Sequence, residues 1–224
     1  MRIPVAPSLV ALALLLAAPM IADAQSAPAV ARQALTQTQL TGADRSQALA
    51  QASAALNRIA AVQGRFSQIA PDGSTSRGDI YLQRPGKMRF AYDAPSPLTI
   101  VSDGSTVSVH DRSVRDVSRV PLRSTPLYYV LKRNVSLERD ARVVRVARSG
   151  ADLLVTARDR TGEADGEITL TFAGPTYELR QWAVTDGQRQ TTRITLSDVR
   201  AAARIDPRLF RIEGATDPTA RKGR

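Results

Sequence analysis

The strongest constraint on this chain is a period of two. From Val62 onward, Phe66 with Gly64 and Gln68, then Ile80 and Leu82, then Met88, Phe90 and Tyr92, then Leu98 and Ile100, then Val107 and Val109 alternate with polar neighbours. Alternation puts one set of side chains on each face of an extended strand, an arrangement that a helical period cannot produce. Turn chemistry separates the runs, at Pro71-Asp72-Gly73, Pro85-Gly86, Pro95-Ser96-Pro97 and Asp103-Gly104. The clearest hairpin joins Thr99-Ile100-Val101 to Val107-Ser108-Val109 through Asp103-Gly104. After a polar stretch, Thr125-Pro126 opens a short helical segment over residues 127–131, with proline at its first position. The period of two resumes at 143–147, 153–157, 168–172, 177–184 and 192–196, divided by Ser149-Gly150, Thr161-Gly162, Gly174-Pro175 and Asp186-Gly187. Asp206-Pro207-Arg208-Leu209-Phe210 then forms a turn that docks Leu209 and Phe210.

About ten strands with helices only at the front and in the middle predict a mainly β protein built on one large antiparallel sheet. The front helix is capped by Asp44 or Ser46 and runs to about residue 61, with Leu49, Ala52, Leu56, Ile59 and Ala60 on one stripe. A sheet of that size curls, and its apolar face needs a cover. Two short helical elements over so many strands leave a closed barrel or an unclosed half-barrel lidded by helices, with a lipid-sized apolar cavity beneath them.

The ends read differently. Met1 and Arg2, the apolar run from Leu9 to Ala18 and the small-x-small site Ala22-Asp23-Ala24 predict a signal peptide over residues 1–24. A run this short, closed by Pro19 and Asp23, falls below the ~20 residues of a spanning helix. Cleavage leaves a soluble periplasmic chain starting at Gln25, with a flexible lead over 25–43, one domain over 44–213 and a disordered tail over 214–224. An exported chain with no cysteine must be stable on core packing alone, which about 200 residues can achieve.

The same composition excludes most chemistry. Without cysteine, and with His110 as the one histidine, neither a thiolate nucleophile nor a multi-histidine zinc site can be assembled. GxGxxG, GxxxxGK[ST], HExxH and GxSxG are all missing. His110 beside Asp111 is placed to orient a base for Ser105 or Ser108, but no oxyanion element accompanies it, and it reads as a strand-end histidine. Asp159, Glu163, Asp165 and Glu167 lack calcium-loop spacing and read as a solvated hairpin loop. The expectation is a protein without catalytic residues, cofactor or metal. The formal charge of +10 comes from 31 basic residues of which only Lys87, Lys132 and Lys222 are lysines. The arginines are scattered and several alternate with apolar residues, so they belong to a solvated outer face. Export, the absence of a concentrated basic stripe and 4% aromatic residues argue against nucleic acid.

One resemblance emerges when the motifs are taken in order. Gly64-Arg65-Phe66-Ser67-Gln68, Arg84-Pro85-Gly86-Lys87-Met88-Arg89-Phe90, Val101-Ser102-Asp103-Gly104, Thr125-Pro126-Leu127 and Asp206-Pro207-x-Leu-Phe, spread over residues 44–212, resemble the outer-membrane lipoprotein carrier (LolA) family. The resemblance implies an unclosed half-barrel that receives acylated lipoproteins from an inner-membrane ABC transporter and hands them to an outer-membrane acceptor. It places Met88 and Phe90 among the family's cavity residues and Arg84 where the family has the arginine that holds the lid shut. The expected lipid-binding cavity is Phe66, Ile80, Leu82, Met88, Phe90, Tyr92, Leu98 and Ile100, and the expected state is a monomer. The alternative is a carrier or sensor of another lipid or amphiphile on the same fold.

Overall fold

The computed structural model describes residues 37–212 apart from 115 and 163. The expected signal peptide, most of the lead and the tail lie outside the described residues. Within them, twelve strands form one antiparallel sheet. They are β1 (Gln37–Gln39), β2 (Ala61–Ile69), β3 (Thr75–Gln83), β4 (Lys87–Tyr92), β5 (Leu98–Asp103), β6 (Thr106–Asp111) and β7 (Asp116–Pro121), followed by β8 (Arg142–Ser149), β9 (Asp152–Arg158), β10 (Glu167–Ala173), β11 (Glu178–Thr185) and β12 (Thr191–Ala201). The helices are α1 (Gly42–Arg58), α2 (Tyr128–Leu131) and α3 (Leu137–Asp140), with single 3-10 turns at Leu122–Ser124 and Pro207–Phe210.

The spatial order β1-β8-β9-β10-β11-β12-β2-β3-β4-β5-β6-β7 explains the shape. From β2 the chain meanders to one edge at β7, returns through the two short helices, and meanders from β8 back to a seam where β12 pairs β2. β1 and β7 remain at opposite edges, so the sheet does not close into a barrel. Right-handed strand twist summed over this many strands curls it. Alternation then assigns the faces: on β4, Met88, Phe90 and Tyr92 are buried while Lys87, Arg89 and Ala91 are only partly so.

Several boundaries differ from expectation, each for a physical reason. α1 begins at Gly42, with Thr41 extended before it and no side-chain cap, so Asp44 lies inside the first turn, where its charge complements the helix dipole. Residues 37–39 of the supposed lead pair with β8, and Leu40 donates its N–H to the Val146 carbonyl at 2.8 Å, so the front of α1 is tethered. The polar stretch before Thr125 contains β7, an edge strand whose half-exposed pattern hides its period. α3 went unread because four residues are too few for a helical period. The C-terminal turn docks as expected: Phe210 is buried with Val101 and Ile205 on the convex face, and Leu209 packs beside them.

Candidate functional site

All eight residues expected to line the cavity face one interior. Phe66, Ile80, Leu82, Met88, Phe90 and Tyr92 are buried in a single cluster, with Leu98 and Ile100 partly buried against it. The register explains the gathering, since β2 to β5 align Phe66 with Gly78 and Tyr92, Ile80 with Phe90, and Phe90 with Ile100. Gly78 is required there. A Cβ at this position would stand 2.7 Å from the Phe66 ring and 2.1 Å from the Ala91 carbonyl oxygen. Phe66 makes edge contacts with Phe90 at 4.8 Å and Tyr92 at 5.0 Å between ring centroids, and Phe90 continues to Trp182 at 6.1 Å.

The other half of the interior comes from strands that the sequence reading identified but did not assign to the site. Leu153, Val155, Ile168, Leu170, Phe172 and Trp182 are all at most 1% exposed. Trp182 escapes a simple period because a bulge between Thr171 and Phe172 shifts the β10–β11 register, so Leu179 and Trp182 point inward although they are three apart. Ala48, Leu49, Ala52, Ala55 and Leu56 of α1 cover this wall. Small residues at three of those five positions bring the helix close to the sheet. In this conformation the interior is packed and shut from solvent.

The fastening of the lid is polar. Arg84, at the exit of β3, donates from Nη1 to the Leu56 carbonyl and from Nη2 to the Lys132 carbonyl and, at 3.3 Å, to Asn57 Oδ1. One planar fork thereby joins the C-terminal ends of α1 and α2, where a cation is favoured. Burial lowers its pKa from the ordinary arginine value, and its Nε is buried without a partner. The Gly86 N–H donates to the Leu131 carbonyl at 2.8 Å beside it.

Asn57 and Val135 exchange two hydrogen bonds of 2.8 Å, and the Leu137 N–H donates to Ser53 Oγ at 3.0 Å, so α1 and the α2–α3 segment move as one unit if they move. Asp140 accepts from Lys132 Nζ at 2.7 Å and from the Ser136 N–H at 2.8 Å. Burial works to raise this carboxyl, but Lys132, the Ser136 amide and Arg139 outweigh it and hold it at about 2.

The acidic loop is not simply solvated: Asp159 accepts the Tyr129 hydroxyl at 2.5 Å and the Thr161 hydroxyl at 2.6 Å, and neighbouring Arg160 donates to the Glu138 and Ala141 carbonyls, so the loop is a second anchor for the lid. Glu163 lies outside the described residues. His110 is turned to the convex face, while Asp111 accepts from Ser113 at 2.6 Å. Among the described residues no three histidine or acidic groups gather as a metal set, and no helix is long and apolar enough to cross a membrane.

The family described as outer membrane lipoprotein carrier protein LolA matches residues 57–213. An outer-membrane lipoprotein carrier protein of Pseudomonas paraeruginosa is 26% identical over 182 residues, covering 77% of this chain and 86% of the relative. One from Methylibium petroleiphilum is 31% identical over 157 residues, covering 66% and 74%. A solved domain assigned to outer membrane lipoprotein sorting in Vibrio parahaemolyticus superposes with a TM-score of 0.50 at 10% identity, covering 75% of this chain and 97% of that one, a likeness of fold alone. With the family matched across both halves of the sheet and the short helices between them, this chain belongs to the outer-membrane lipoprotein carrier family, LolA.

Proposed function

We propose that this protein carries acylated lipoproteins across the periplasm, enclosing their acyl chains in the apolar interior and releasing them at the outer membrane. The observation that carries the reading is the apolar wall beneath a lid fastened by Arg84 to the ends of two helices. Exposing one ~16-carbon chain to water costs on the order of 12 kcal/mol, at ~0.8 kcal/mol per methylene, and no lipoprotein crosses an aqueous space unaided. A carrier therefore needs an interior that resembles the bilayer and an empty state stable enough to favour release. Here the empty state fills its own interior and closes with hydrogen bonds that cargo must break. Holding is weakened by that amount, and release is favoured by the same amount.

On this reading residues 1–24 are removed on export, the carrier is a monomer, an inner-membrane ABC transporter supplies the work of extraction, and an outer-membrane acceptor takes the cargo. No residue of the chain acts on the cargo chemically. Mass spectrometry of the protein purified from the periplasm under mild conditions tests the assignment. Co-purified triacylated lipoprotein is the expected result; a free glycolipid or fatty acid in its place would contradict it.

A further inference from the structure

We propose that a basic groove on the convex face docks an extended acidic segment of a partner protein. The groove, about 510 Å³, lies where the C-terminal turn Pro207–Phe210 crosses β4 and β5, on the face opposite the apolar interior. Arg89, Arg112, Arg208 and Arg211 line it together with Thr99 and His110, which are register partners on β5 and β6. Asp206 is the one carboxylate among the described lining residues, and it is paired with Arg208 at 2.7 Å. Arg89 donates to the Leu209 carbonyl at 3.1 Å and Arg112 to the Pro97 carbonyl at 3.3 Å; both acceptors are neutral and cancel no charge. With the Arg208–Asp206 pair set aside, the guanidiniums of Arg89, Arg112 and Arg211 face the recess with no carboxylate partner among the described residues, an imbalance that carboxylates from outside would redress with bidentate contacts.

The shape favours a peptide over a bilayer. The recess lies between a wall of turn and a sheet surface, which a flat membrane does not enter, and its volume suits several side chains. Leu209 and Ile212 offer an apolar wall against which a hydrophobic residue between acidic ones would pack. The chain's own end is a poor occupant, since residues 213–224 set Arg221, Lys222 and Arg224 against Glu213 and Asp217. Because the groove is outside, a partner would hold the protein without blocking the interior.

Fluorescence anisotropy of a labelled hexaglutamate peptide with the purified protein tests the assignment. Arg112 and Arg211 are exposed, so the double variant Arg112→Glu/Arg211→Glu should fold, as circular dichroism would verify. The expected result is saturable binding at low salt, about tenfold weaker in the double variant and unchanged in Arg193→Glu, a charge reversal at an exposed position on β12. Equal loss from Arg193→Glu would reduce the binding to net charge and overturn the proposal. So would groove-dependent binding of phosphatidylglycerol vesicles without peptide binding, or displacement of the peptide by millimolar inorganic phosphate.

Discussion

Arg84 joins α1, α2 and β3, elements that lie far apart in sequence. Leucine at this position would leave the Lys132 carbonyl without its donor and remove one partner from Leu56, costing about 1–3 kcal/mol in the empty protein. Arg84→Leu should still accept a palmitoylated lipopeptide but pass it to acceptor vesicles poorly, with Arg84→Lys between, having charge without the fork. Transfer kinetics from the loaded protein read this directly, and an unchanged rate for the leucine variant would make the arginine ordinary. Gly78 makes a different demand, for space. Gly78→Ala should lower stability by about 1–3 kcal/mol, because the new methyl meets a strand backbone that cannot yield as well as the Phe66 ring; urea denaturation measures it. Neither role is visible from the residue alone. The role proposed for Arg84 was implied by the resemblance, while the demand at Gly78 depends on a ring brought to it by strand register.

At the scale of elements, the sheet was legible because its strands keep one face apolar, and the lid was less so. Alternation located β2 to β6 and β8 to β12, and the Asp103-Gly104 turn placed the hairpin of β5 and β6. Short helices and edge strands carry too few periods to announce themselves, which is why α3 and β7 were missed. The short helices are held by buried Val130, Leu131 and Leu137 and by polar anchors such as Asp140. The folded pKa of its carboxyl, about 2, lies below the ordinary 3.8, so ionisation favours the folded state above about pH 3.8 and that preference fades as the pH falls toward about 2. The difference in Tm between wild type and Asp140→Asn should be largest above pH 4 and shrink on going to pH 2. A difference that stayed constant over that interval would show that the Lys132 and Ser136 contacts do not stabilise the fold.

For the whole molecule, the chain order brings the return segment over the apolar face of a sheet that does not close. That arrangement was only half legible. Strand count and helix scarcity implied an open or closed curl with a cover, but the seam of β12 against β2 is a long-range pairing that no local pattern encodes. The candidate site is similarly divided: alternation on β2 to β5 points to one wall of the interior, while β9 to β11 are legible only as strands. What the sequence could not display is that the interior is filled by its own side chains when the lid is shut, so that on the proposed function an acyl chain entering it displaces contacts already made. Hydrogen exchange of the protein with and without a tripalmitoylated lipopeptide tests this most directly. Saturating lipopeptide should speed exchange in residues 125–141 and in the last turn of α1, where the Arg84 bonds are made, while β2 to β5 remain protected. Saturable binding with lid exchange unchanged would mean that acyl chains bind elsewhere on the protein, and would contradict the account.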